Sequence, residues 1–411
     1  MRVVITGATG VVGRNLLFEF LKNSLADLGS LELVILGRSH AHASLARRVT
    51  DAILADGLPY VSPDTGAEHL IRAYCESGIR CIEIDLDRDG LSLTQEDLAF
   101  LKASPVDFFF HAAALTDLRS SGAVARAIRR TNVGGTLKIL ELVSHLNVRQ
   151  FCYLGSAYCC GEATGLIRPD DVSMDREFRN PYEAAKMEAE IEIRRFAART
   201  GVRCRYFRPS IVCGRLMEPP LGAISKFGTF YAPAAFLLRA KLAALPAGAD
   251  PYGAPARLDL RACGNPYGSL NLVPADYAAK VMYQVCMQDD PGESYHVVNP
   301  VPTPNGVFAA QLPRVLNVRG LKLVDRTPKD PNRLEALYYK TVGAWMNRYV
   351  LSDRVAFDME SVSRALQNAG LRCPPVDSDG FRVLMDYAKK HYFGLNYKAV
   401  GRGQAHAAAA A

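Results

Sequence analysis

The chain has 411 residues, 49% hydrophobic and 22% charged, and its 49 Lys and Arg against 42 Asp and Glu leave a formal charge of +7. That balance excludes a disordered or fibrous chain, and the dispersal of the positive charge excludes the basic stripe of a nucleic-acid binder. No uninterrupted apolar run reaches the roughly 20 residues that span a bilayer and no leader pattern follows Met1, so a cytoplasmic enzyme is expected.

In chain order, short β-branched runs alternate with helical patterns: "RVVIT" (2–6), a helix over 13–22, "LELVILG" (31–37), a helix around 43–56 and "IRCIEIDL" (79–86). The alternation continues through "VDFFFHAAA" (106–114), a helix near 122–146, "QFCYLGSA" (150–157), a helix from about 181 and "RCRYFRPSIV" (203–212). Strands alternating with helices predict an α/β fold, a Rossmann-like doubly wound parallel sheet over residues 1–214. Residues 215–268 are rich in Pro, Gly, Ala and aromatics and read as a lid or substrate-loop insertion rather than another strand–helix unit. Residues 269–300 return to the core, 301–397 read as a mostly helical substrate region, and 398–411 as a disordered tail. The ten cysteines and eight histidines show no metal-ligand spacing, so no metal is expected.

The first strand runs directly into "TGATGVVGRNL" (6–16), with Gly7, Gly10 and Gly13 at GxxGxxG spacing before a helix. Gly7 suits the tight turn, Gly10 a close approach of backbone to a pyrophosphate, and Gly13 close packing of helix on strand. Thr6, Gly7, Thr9, Gly10, Val11, Val12 and Gly13 are therefore candidate dinucleotide-binding residues. The second strand ends in "LGRSH", with Arg38 where an acidic residue would hold ribose hydroxyls. Arginine there pairs with a 2′-phosphate, which favours NADP(H), with NAD(H) as the alternative and Arg47 or Arg48 as additional ligands. Asp85, with Leu86 after it, is placed to bound the adenine pocket.

In "RNPYEAAKMEAE" (179–190), Tyr182 and Lys186 are four residues apart and share a helix face. The preceding strand ends "YLGSAY", which puts Ser156 at the carboxyl edge where open α/β sheets bind ligands. Ser156 would donate to a carbonyl oxygen, Tyr182 would protonate it, and the lysine ammonium with a nicotinamide cation would pull the phenol pKa down.

With "TGATGVVG", "HAAA" (111–114), "TNVGGT" (131–136), "GSAY" (155–158), "YEAAK" (182–186) and "RPSIVCG" (208–214) in order, the chain resembles the extended short-chain dehydrogenase/reductases over about 300 residues. It is most similar to their fatty acyl-CoA reductase (male-sterility-like) and thioester-reductase branch. That resemblance implies that Ala112 and Ala113 line the cofactor, that Asn132 supports the active-site helix, and that Pro209 and Ser210 lie near the nicotinamide carboxamide. It implies reduction of a hydrophobic acyl thioester, carrier-protein- or CoA-bound, to aldehyde or alcohol. The alternatives are reduction of a ketone, quinone or ring carbonyl, and nucleotide-sugar epimerisation. A homodimer is common in the family, and peripheral membrane contact would suit a greasy substrate.

Overall fold

The computed structural model describes residues 1–63, 66–351 and 355–396. The expected disordered tail, 398–411, lies outside them. Seven strands form the central sheet: β1 (Arg2–Thr6), β2 (Glu32–Gly37), β3 (Ile79–Glu83), β4 (Val106–His111), β5 (Val148–Leu154), β6 (Arg203–Pro209) and β7 (Ser294–Val297). They lie in the order β3-β2-β1-β4-β5-β6-β7 and every pairing is parallel. Strands such as β1 are buried along their whole length, which is why they are continuously apolar rather than alternating. The chain winds outward from β1 in one direction and from β4 in the other, so the β1/β4 boundary is the switch point where such sheets open a crevice.

Helices cover both faces. Helix α1 (Val11–Asn23) packs with the later helix Ala275–Met287 on one face, around Leu16, Phe20, Val281 and Val285. On the other face lie Gln95–Lys102, α2 (Gly135–Ser144) and α3 (Pro181–Thr200), with Leu101, Ile139 and Ile193 in the core. The sequence dictates the ends of α3: Asn180 caps it by accepting the Glu183 amide at 3.1 Å, Pro181 occupies the first turn, and Gly201 takes the left-handed conformation that ends it.

The helix expected near 122–146 is not uniform. It runs as Gly122–Ile128, a π-helical turn Arg129–Gly134, then α2. The helix expected around 43–56 likewise breaks into Leu45–Ala52 and a π turn, Ile53–Gly57. Residues 215–268 contain a helix, Ala232–Ala244, and a strand, Ala256–Cys263, which lies outside the central sheet. That strand pairs in parallel with Val318–Val324, inside the stretch expected to be mostly helical. Its partner lies some sixty residues on. Around this pair a second core gathers Phe230, Leu237, Leu260, Phe381 and Leu384, together with helices Asn305–Leu316, Arg333–Lys340, α4 (Val342–Val350) and Ser378–Lys390. Among the described residues no helix is long and apolar enough to cross a membrane.

Candidate active site

At the β1/β4 switch point, backbone meets backbone. Gly7 has φ +73°, and a Cβ on it would stand 2.6 Å from the Ala113 nitrogen and 2.8 Å from the Ala112 carbonyl carbon. A Cβ on Gly13 would fall 2.4 Å from the Gly7 oxygen. Only glycine fits either place. Gly10 caps α1 without a side-chain hydrogen bond, leaving the first amides of that helix uncovered by any side chain. The neighbouring side chains turn away: Val12 enters the first core and Val11 packs on the second, so what they offer a ligand is backbone.

The Thr6 hydroxyl is also turned inward. It lies 2.9 Å from His111 Nδ1 and accepts the Ala113 amide at 3.2 Å. His111 Nε2 lies 3.0 Å from the Thr136 hydroxyl, which donates to the Asn132 carbonyl at 2.6 Å. Burial drives the His111 pKa down to about 3, so the imidazole is neutral and holds this chain of bonds together. Asn132 sits in the π turn and clasps Leu115, accepting its amide at 2.7 Å and donating to its carbonyl at 3.0 Å. Its amide thus holds the segment after β4, while the π turn around it packs against α3.

The Arg48 guanidinium lies beside Thr9, and nearby Arg14 is paired with Asp56 at 3.2 Å. Arg48 donates to the Thr9 hydroxyl at 3.0 Å and to the Arg38 carbonyl at 2.7 Å. Burial lowers its pKa, and the positive fields of Arg14 and Arg38 lower it further. The exposed Arg38 also acts on Asp87, whose carboxyl burial pushes up but Thr131, Arg130 and Arg38 together hold low. Arg47 points elsewhere, paired with Asp51 at 2.8 Å on the helix exterior. Asp85 turns the chain after β3, its amide donating to the Leu91 carbonyl at 2.9 Å, and Leu86 packs where a Cβ on Gly135 would be 2.9 Å away.

At the carboxyl end of β5, Ser156 is buried and its hydroxyl accepts the Tyr158 amide at 3.3 Å. Lys186, 3% exposed, reaches the same strand end: its Nζ donates to the Leu154 carbonyl at 2.7 Å and lies 4.8 Å from the centre of the Tyr153 ring. Desolvation lowers its pKa to about 8. Tyr182, one turn before it, packs near Ile128 and Val133, with the Thr116 side chain close enough to favour its ionised form. Burial pushes its phenol up to about 12 against the easing effect of Thr116. Loss of solvent thus outweighs that local polar effect. Helix α3 is fixed to the sheet by Arg208 on β6, which reaches Glu190 at 2.8 and 2.9 Å. Pro209 ends that strand, and the buried hydroxyl of Ser210 beyond it has no hydrogen-bond partner among the described residues. Thr116 and Arg14 were not legible as site residues: neither belongs to a spacing pattern.

A sheet wound this way, a glycine turn at its switch point and a Tyr-xxx-Lys helix beside it define an NAD(P)-binding oxidoreductase of the extended short-chain dehydrogenase/reductase class. Within that class the chain belongs to the male sterility protein family, whose model matches residues 5–282. It is 24% identical over 399 residues to a linear gramicidin synthase polypeptide of Brevibacillus parabrevis, a match that covers 93% of this chain but 7% of that protein. It is 27% identical over 195 residues to UDP-glucose 4-epimerase uge1 of Schizosaccharomyces pombe, covering 45% of this chain and 52% of the epimerase. Among solved structures, the terminal R domain of the myxalamid PKS-NRPS pathway superposes with TM-score 0.70 at 20% identity, over 96% of this chain and 92% of that one. A thiolation-reductase di-domain from an archaeal non-ribosomal peptide synthetase gives 0.64 at 18% identity, over 95% and 76%. The dTDP-glucose 4,6-dehydratase DesIV of Streptomyces venezuelae, with NAD bound, gives 0.61 at 18% identity, over 96% and 99%.

Proposed function

We propose that the protein is an NADPH-dependent reductase of a hydrophobic acyl thioester, presented on a carrier protein or coenzyme A and released as aldehyde or alcohol. The observation that carries this reading is the extent of the sequence likeness: it runs over 93% of the chain to the gramicidin synthase but over 45% to a sugar-nucleotide epimerase.

The residues present fit a nicotinamide dinucleotide. The glycine cradle has room for no side chain, and the orphaned Ser210 hydroxyl lacks a partner that a carboxamide would supply. Arg38 and Arg48 would hold a 2′-phosphate, with Arg14 adding positive field. The bound dihydronicotinamide supplies the hydride for the carbonyl carbon; once the oxygen is protonated the C–S bond breaks, releasing the carrier or coenzyme A thiol and the aldehyde, which a second hydride would take to the alcohol. Tyr182, protonated throughout the neutral range because burial raises its pKa, is loaded to give its proton to the carbonyl oxygen. Ser156 donates a hydrogen bond to that oxygen and stabilises charge as it develops. Lys186, cationic below about pH 8, offsets the phenolate left after transfer, and the Thr116 side chain also favours the phenolate.

The test is cofactor oxidation, followed spectroscopically with NADPH and NADH against a long-chain acyl-CoA, its aldehyde, a polycyclic ketone and a UDP-sugar. Thioester-dependent oxidation of NADPH yielding aldehyde or alcohol is expected. Turnover of the ketone or the sugar nucleotide alone would overturn the substrate, and preference for NADH would overturn the role of the arginines.

A further inference from the structure

Two residues of α4, far along the chain, are bonded to the turn that carries Tyr182. The Tyr349 hydroxyl donates to Glu183 Oε1 at 2.7 Å and accepts from Asn180 Nδ2 at 2.7 Å. Asn180 and Glu183 stand on either side of Pro181 and Tyr182, so a single phenol touches both ends of that turn. Glu183 is wholly buried, accepts the Arg179 amide at 3.0 Å and lies 3.5 Å from the Arg179 guanidinium. Arg179 in turn donates to the Arg348 carbonyl at 3.2 Å and to the Gly161 carbonyl, and Arg348 donates back to the Arg179 carbonyl.

The same side chains reach the Ser156 loop. The Tyr349 ring meets Tyr158 edge-on, with centroids 5.4 Å apart, and Arg179 lies 5.8 Å and 5.3 Å from the centres of the Tyr158 and Tyr349 rings. The Tyr158 amide is the group bonded to the Ser156 hydroxyl, and the Tyr158 phenol accepts the Asn271 amide at 3.3 Å. One residue thus sits against both segments that carry the reactive hydroxyls. A buried ion pair is a poor device for stability alone, because desolvation offsets most of its attraction and an apolar contact of the same volume would serve as well or better. Directional bonds to both ends of one turn do what an apolar contact cannot: they fix its rotation.

We propose that Tyr349 is a positioning residue for the reaction, acting through Asn180 and Glu183 on Tyr182 and through Tyr158 on Ser156. The proposal rests on the assignment of Tyr182 and Ser156 made above. It predicts that the chemical step, rather than cofactor or substrate binding, depends on the Tyr349 hydroxyl.

Tyr349→Phe keeps the ring contacts and removes the hydroxyl. In the full chain labelled with [13Cζ]tyrosine, the Tyr182 resonance, assigned by its loss in Tyr182→Phe, should shift or broaden in Tyr349→Phe while that of the distant Tyr60 stays in place. With any substrate the wild type reduces, kcat should fall about 10- to 100-fold, with KM and cofactor Kd within about twofold, as expected when a reacting group is misplaced. Glu183→Gln should lower kcat in the same sense, and the double variant should be no slower than Tyr349→Phe, since the two residues act as one unit. An unmoved Tyr182 resonance, an unchanged kcat, or losses that simply add would overturn the proposal. Should Tyr349→Phe fail to fold, the same resonance and kcat in Glu183→Gln decide it. The NMR measurement needs no substrate, so a wild type inert toward thioesters would sink the substrate reading while this proposal is still judged.

Discussion

Around Gly7 the ends of β1 and β4 touch through main-chain atoms, with contacts so close that a methyl group on Gly7 or Gly13 would sit under 3 Å from another backbone. Around Tyr182 the backbone segments stand apart and are joined through the side chains of Arg179, Asn180, Glu183 and Tyr349. The first arrangement allows almost no variation, because nothing smaller than hydrogen can replace what is there. The second can be altered one side chain at a time. A dinucleotide is the same in every such enzyme and tolerates a fixed cradle, whereas a turn tied by side chains can be re-aimed as the substrate changes.

The largest effect expected is on the catalytic edge. Tyr182→Phe should lower kcat by about 10²- to 10⁴-fold, the usual worth of a positioned proton donor, while calorimetry shows cofactor binding intact. Retained turnover would mean that another group delivers the proton. Next comes the nucleotide edge: Arg48→Ala should weaken NADPH by roughly 10- to 150-fold, the worth of a hydrogen bond to a charged group, and NADH far less. Arg47→Ala, removing a solvent-exposed i,i+4 pair, should leave both affinities within about twofold. Equal losses of the two cofactors in Arg48→Ala would remove the 2′-phosphate from the account.

Gly13→Ala sharpens the contrast, because its Cβ must displace backbone rather than a pliable side chain. It should cost about 1–3 kcal/mol of stability in denaturant titration and weaken either cofactor about tenfold. The mildest intervention is a change of pH. Lys186 is charged below about 8 and loses its proton above it, whereas Tyr182 stays protonated until about 12. Reductive kcat/KM should therefore hold on the neutral side, halve near pH 8 and fall about tenfold per unit beyond it. A profile flat to pH 10 would show that the ammonium charge is not needed.

What the sequence disclosed follows the same division. The glycine turn and the Tyr182/Lys186 pair are local patterns whose spacing equals the geometry of one turn or one helix face, so they could be read directly. The inward choice of Arg48 over Arg47 was legible in principle: Leu45, Val49 and Ala52 are the buried face of the helix Leu45–Ala52, and position 48 borders that face. Thr116 had no such signal, since its loop is shaped by Asn132 from a π turn that no periodicity announces. The strand Ala256–Cys263 escaped because it lies in a stretch rich in Pro, Gly and Ala, and Val318–Val324 because Gly320 interrupts it at a shift of register.

Arg179 and Arg348 are bonded across 169 residues of chain. At the roughly 5–20 residues per second of protein synthesis, the later partner is made about 10–30 s after the earlier one. The residues of the glycine cradle, including the loop after β4, are all made before Arg179. A nascent chain therefore holds every residue of its glycine cradle well before the turn that carries Tyr182 can meet Arg348 and Tyr349.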